Sequence, residues 1–255
     1  MEFECNPSVA LAYKSPAQKA RVISEHWFAQ IGYCLACESE QLLRTAANTR
    51  ATDFSCEVCG HCYELKTFTR RPRKSLVDGA YASLMTLIES SSAPTLCLLE
   101  RSESWQVRSL TAIHSSFLTP WVIEQRRPLG VSAKRAGWVG CNIRLDRIPL
   151  DGEIVLFEKG IAYPKTEVRR KFKRFLPLED LSTEQRGWTT LTLAQIRALK
   201  VSRFSLSDLY MREEQFAAVF PMNRHIRAKI RQQLQVLRDL GVLSFQGGGY
   251  YTLLV

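Results

Sequence analysis

Two groups of residues have types and spacings that could do chemistry. Asp53 is followed, after ten intervening residues, by Glu64-Leu65-Lys66, and the pairs Cys34/Cys37 and Cys56/Cys59 are each separated by two residues. Side chains on a strand alternate faces, so Glu64 and Lys66 share one face while Leu65 points to the other, toward a core. With Asp53 on an adjoining strand, the two carboxylates could hold Mg2+, a hard cation that takes oxygen ligands. Lys66 would then orient or activate a water. A metal held this way lowers the pKa of the attacking water and neutralises charge on a phosphodiester, which is hydrolytic nuclease chemistry. By itself the spacing also arises by chance, with a surface ion pair as its content. No Walker loop, paired dinucleotide-binding glycines or H-E-x-x-H motif competes with it, and His26, His61, His114 and His225 are scattered.

The cysteine pairs are separated by 18 residues, the C-x2-C…C-x2-C spacing of a structural zinc site. Two such knuckles turn four thiolates onto one Zn2+ and leave no open coordination position, so this metal folds the chain and performs no chemistry. His61 and Cys62 are alternative ligands, whereas Cys5, Cys97 and Cys141 lack partners of this kind and read as structural.

The elements that must position these groups follow from periodicity and turn chemistry. Ser15-Pro16 starts a helix whose apolar stripe is Ala20, Ile23, Trp27 and Ile31. Residues 52–54 and 61–68 read as short strands flanking the second knuckle, 79–89 as a helix, and 94–99 and 105–112 as buried strands. This alternation predicts an α/β domain with a mixed sheet. A Ser/Thr/Glu/Gln-rich stretch, 178–187, reads as a junction, which divides the chain into domains 1–180 and 188–255. Beyond it, helices are predicted over 191–199, from Ser205 or Ser207 to Phe220, and from Asn223 to about residue 240. Two apolar runs joined by Gln246 and three glycines form a terminal hairpin. Three helices and a hairpin spell a winged helix. In its third helix Ile226, Ile230, Leu234 and Leu237 form the buried stripe, and Arg224, Arg227, Arg231, Gln232 and Gln235 are the candidate base-reading residues.

The composition is that of a globular protein, with 45% hydrophobic and 24% charged residues, which excludes wholesale disorder. The longest apolar runs fall far short of a membrane span. The start, Met1-Glu2-Phe3-Glu4-Cys5, is acidic and polar, so no secretory signal is read and the cytoplasm is the expected location. The net charge of +10 favours a polyanionic partner. Residues 188–255 hold 9 basic and 4 acidic side chains against 26 and 21 in residues 1–187, so the smaller piece is more basic for its size. The runs Arg70-Arg71-Pro72-Arg73-Lys74 and Lys165 to Arg174 could both track a DNA backbone.

The combination resembles the DpnI-type, methyl-directed (Type IIM) restriction endonucleases over nearly the whole chain. The residues that carry the resemblance are Gln18-Lys19-Ala20-Arg21, both cysteine pairs, Asp53, Glu64-Leu65-Lys66, and Asp78-Gly79-Ala80-Tyr81-Ala82. Further along they are Arg135-Ala136-Gly137-Trp138, Gly140-Cys141-Asn142-Ile143, Arg186-Gly187-Trp188-Thr189, Ile230 to Gln235 and Leu237-Arg238-Asp239. The resemblance implies a PD-(D/E)XK nuclease domain with an embedded zinc site, followed by a winged helix. It also implies Mg2+-dependent cleavage of both strands at GATC carrying N6-methyladenine. Carried onto this chain, Asp53 and Glu64 would bind Mg2+, Lys66 would assist the water, and Cys34, Cys37, Cys56 and Cys59 would bind Zn2+. Trp138, with Arg135 beside it, would lie near the methylated bases, while Trp188 reads as an interdomain packing residue. The expected partner is double-stranded DNA containing methylated adenine; the expected form is a monomer with no obligate protein partner. A zinc-containing winged-helix regulator, or a reader of methylated DNA that no longer cuts, is the alternative.

Overall fold

The computed structural model describes residues 3–46 and 51–254; Met1 and Glu2, part of the acidic start, lie outside them. Helix α1 (Pro16–Ile31) begins at Ser15 as expected, although Ser15 makes no side-chain cap and proline at the first position carries the start. Strands β1 (Leu43–Arg44), β2 (Phe54–Ser55), β3 (Cys62–Phe68) and β4 (Ser75–Ala80) come next, then α2 (Tyr81–Glu89). They are followed by β5 (Thr95–Arg101), β6 (Val107–Ile113), β7 (Ile123–Gln125), β8 (Gly140–Arg144), β9 (Glu153–Glu158), β10 (Ile161–Ala162) and α3 (Lys165–Lys173).

The main sheet has seven strands in the order β1-β2-β3-β5-β6-β9-β10. Among the described residues only β3 and β5 pair in parallel, which requires a crossover, here residues 69–94 with β4 and α2. Strand β5 is buried on both faces and divides two cores. Leu96 and Leu98 join a cluster with α2 and the C-terminal helices, while Cys97 and Leu99 join one built on Trp27, Phe28 and Tyr63. Leu65 is half-buried against that second cluster, on the face opposite Glu64 and Lys66. A small sheet, β4-β8-β7, lies apart from the large one.

The C-terminal module comprises α4 (Thr183–Ala198), β11 (Arg203–Ser205), α5 (Leu206–Tyr210), α6 (Glu213–Val219), α7 (Ile226–Asp239), β12 (Leu243–Phe245) and β13 (Tyr250–Leu253). Its wing is a three-stranded sheet, β11-β13-β12, with Gly247, Gly248 and Gly249 all at positive φ in the turn. Three details differ from the sequence reading. The second half of the stretch read as a junction, 178–187, is the start of α4, where Ser182 and Gln185 form a reciprocal capping box. The second predicted helix breaks at Arg212 into α5 and α6. Asn223 accepts the His225 N–H, but His225 is the residue that precedes α7.

The module shares its core with the rest of the chain. Arg186, 2% exposed, donates to the Ile88 carbonyl at 2.7 Å, and the Thr183 hydroxyl donates to the same oxygen. Both reach the carboxyl end of α2, where helical carbonyls lack intrahelical partners. Trp188 is fully buried and stacks on Phe216 and Phe220, so it packs within the module's own core. Among the described residues, no helix is long and apolar enough to cross a membrane.

His114 is fully buried, with its ring 4.1 Å from that of Phe172 and its Nδ1 accepting the Ser116 N–H. Burial, with His61 adding to it, pushes its pKa down to about 3. The unfolded chain takes up this proton below about 6.5, so the contribution of His114 is complete above that pH and is lost as pH falls toward 3. Lowering the pH from 7 to 4.5 should remove about 2–3 kcal/mol through this group. His114→Asn keeps an acceptor for Ser116, and its urea midpoint should depend less steeply on pH than that of the wild type. Equal slopes would sink this account.

Candidate active site and metal centres

Strand β2 pairs with β3 for only two residues, and Asp53 extends that pairing through its N–H to the Tyr63 carbonyl. The Asp53 carboxylate then accepts the Leu65 N–H at 2.8 Å, occupying a backbone donor that β2 is too short to reach. This ties Asp53 to the strand carrying Glu64 and Lys66. On the shared face, Lys66 Nζ lies 2.5 Å from Glu64 Oε1 and 2.5 Å from Asp78 Oδ1. Glu64 is buried, and its Oε2 has no hydrogen-bond partner among the described residues.

The electrostatics follow from this arrangement. Burial raises the Glu64 pKa against the pull of Lys66, with Asp78 and Asp53 adding to the rise. Burial works against the charge on Lys66, but Glu64 and Asp78 outweigh it and hold the ammonium firmly protonated. Two carboxylates contact the one ammonium and a third, Asp53, lies near enough to act on Glu64; this leaves excess negative charge in a poorly solvated place, and an oxygen donor set of this kind suits a hard divalent cation. Sequence spacing brought out Asp53, Glu64 and Lys66 but gave Asp78 no role, because that residue arrives from the smaller sheet.

The four knuckle sulfurs of Cys34, Cys37, Cys56 and Cys59 all lie within 4.8 Å of one another. Cys34 and Cys59 are 3.5 Å apart, and Cys37 and Cys56 are 3.6 Å apart. A tetrahedral zinc with bonds of about 2.3 Å would separate its sulfurs by roughly 3.8 Å. Burial resists ionisation of Cys56, but N–H groups of Cys59 and Val58 aimed at its sulfur hold the thiol down to about 6. This cluster could hold a zinc ion. The alternative ligands point elsewhere: His61 Nε2 pairs with the Thr95 hydroxyl, and the Cys62 thiol with the Gly60 carbonyl.

Part of the second basic stretch is committed to this centre, which corrects the expectation that all of it tracks DNA, while Arg170 stays exposed. On α3, Arg169 is 5% exposed and donates to the Cys34 and Ser39 carbonyls and to Glu38 and Glu40. Lys165 pairs with Glu40, Lys173 with Glu38 and Lys171 with Glu167. The helix braces the first knuckle. In the other run, Arg71 turns inward to Glu153 at 2.7 Å, whereas Arg70, Arg73 and Lys74 stay exposed.

Trp138 ends the loop between β7 and β8, half-buried, with the Arg135 guanidinium 4.8 Å from its ring centroid. The indole lies over Gly140, where a Cβ would stand 2.8 Å from Trp138 Cη2 and Cζ3. At the loop tip Val131 is 98% exposed. In the C-terminal module Arg224, Arg227, Arg231, Gln232 and Gln235 are all exposed. Arg227 pairs with Glu213, and Arg231 donates to the Tyr210 hydroxyl. Gln233, by contrast, is buried on Thr189.

A large mixed sheet, an embedded four-cysteine cluster that could hold zinc and a C-terminal winged helix define an α/β protein with a DNA-binding domain. Family comparison agrees: residues 1–181 match the Dam-replacing family, DpnI, and residues 184–252 match its Dam-replacing HTH domain. The chain belongs to the DpnI family, one of methylation-dependent restriction enzymes that carry a DNA-binding domain.

Proposed function

We propose that this chain is a Mg2+-dependent endonuclease of the PD-(D/E)XK type that hydrolyses both strands of DNA at GATC sites carrying N6-methyladenine. The observation that carries the reading is the buried Glu64–Lys66 pair, tied to Asp53 through the Leu65 N–H. Asp53 and Glu64 would hold Mg2+, and the orphaned Glu64 Oε2 is a ready ligand. When bound, the ion supplies an acidified water and neutralises charge on the phosphate. Lys66 keeps a proton beside that water and orients it. The catalytic domain is assigned to 1–180 and the winged helix to 188–255. Arg224, Arg227, Arg231, Gln232 and Gln235 face the DNA, and the protein works as a cytoplasmic monomer.

Trp138 is the candidate methyl sensor, since a flat indole offers apolar contact that a methyl group favours over water. Burying one methyl is worth about 0.8 kcal/mol, about fourfold, so two per palindromic site amount to about 15-fold. Trp138→Ala should lose this preference in a titration of methylated against unmethylated duplex. An unchanged ratio would remove Trp138 from recognition.

The whole reading is tested by incubating the protein and Mg2+ with one plasmid in adenine-methylated and unmethylated forms. Cleavage of the methylated form alone is the expected result. Equal cleavage of both would overturn methyl sensing, and binding without cleavage would favour a reader or regulator.

A further inference from the structure

We infer that Asp78 is a positioning residue for the catalytic lysine, and that it does this from the strand paired with the one that seats Trp138. The inference rests on the nuclease reading above and adds a residue to it.

Glu64 and Lys66 stand on the large sheet, whereas Asp78 stands on β4 of the small one, so the Lys66–Asp78 contact links the two sheets. The Asp78 side chain is only 7% exposed, and at such a place an unpaired carboxylate is costly. An ammonium has three protons. Glu64 and Asp78 each take one, at 2.5 Å, which fixes the direction of the third. Without Asp78, Lys66 would keep a single anchor two residues away on its own strand and could swing on its flexible stem.

The backbone is shaped to make this contact. Pairing of β4 with β8 shifts register between Asp78 and Ala80: Asp78 pairs with Cys141 and Ala80 with Gly140. Such irregularities re-aim side chains, and this one turns Asp78 toward Lys66. Its other strand carries the indole seat, because Gly140 lies directly beneath Trp138. The Tyr81 N–H to Val139 carbonyl bond and the Cys141 thiol on the Gly79 carbonyl close the joint. The residue orienting Lys66 and the residue contacting the base are thus held by one pair of strands.

The test is single-turnover cleavage of a methylated duplex with Mg2+, alongside duplex affinity measured without Mg2+. Asp78→Asn should lower the rate about 100-fold, on the scale of a misplaced acid–base group, with affinity within about twofold and a cooperative melt. Wild-type rate in this variant would overturn the inference, and so would a loss confined to affinity. If Asp78→Asn does not fold, a second comparison stands on its own: Lys66→Met against Lys66→Met with Asp78→Asn, which leaves neither charge unpaired. A residue acting through Lys66 adds nothing once Lys66 is gone, so the two rates should agree within about threefold. A further fall of about tenfold or more overturns the inference. A wild type that cuts neither form of the duplex would bring down the nuclease reading and this inference with it.

Discussion

A Glu64→Ala protein should bind methylated duplex as the wild type does and cut it at least about 1,000-fold more slowly, the scale of losing a group that stabilises transition-state charge. The variant should also melt no lower than the wild type. Glu64 is buried, one of its oxygens has no partner among the described residues, and burial raises its pKa; a fold gains little from such a carboxylate. Lys66 would keep Asp78 as its counter-charge. Stability maintained while cleavage is lost separates a catalytic carboxylate from a structural one. Gel assays of cleavage, duplex titration and thermal melting together decide the matter. A large fall in melting temperature would assign Glu64 to the fold instead.

The second large effect concerns the four-cysteine cluster. Metal analysis of the purified protein should find one zinc per chain, and Cys34→Ala should lose it. Loss of a structural metal costs about 5 kcal/mol or more, and at about 2–4 °C per kcal/mol for a chain of this size the melting temperature should fall by about 10–20 °C. The damage should extend to the catalytic strand. Tyr63, which pairs with Phe54 and precedes Glu64, receives the Leu35 N–H on its hydroxyl and lies 3.3 Å from the Cys34 sulfur. Cys62→Ser is the control, since its thiol faces the Gly60 carbonyl outside the cluster. If that control loses zinc as fully as Cys34→Ala does, the ligand assignment is wrong.

What the sequence made legible and what it hid divide along physical lines. Regular spacings were readable: the cysteine pairs converge, and period two puts Glu64 and Lys66 on one face. The C-terminal module was readable as a helical unit with a hairpin because the stripe of α7 is strongly amphipathic. Contacts between distant segments were not. Asp78 comes from a separate sheet whose strands β7 and β8 announce themselves by no clear alternation. On α3, Lys165, Arg169 and Lys173 look free along the chain and meet Glu38 and Glu40 only in three dimensions. The polar stretch 178–187 resembles a linker, yet Arg186 and Gly187 at its end are buried in α4, where tertiary packing overrides composition.

The single parallel pairing in the main sheet bears on how the molecule assembles. Strands β5 and β6 are joined by residues 102–106 and can zip locally, whereas β3 must wait for residues 69–94 to loop back before it meets β5. Closing the longer loop costs more chain entropy, and non-local pairing of this sort slows folding. The strand bearing Glu64 and Lys66 is therefore seated after the β5–β6 hairpin has formed. Zinc held by Cys34, Cys37, Cys56 and Cys59 would draw in the segment leading into β3 but leave the 69–94 loop to close, so zinc supply should govern how long folded chains survive more than how fast β3 meets β5.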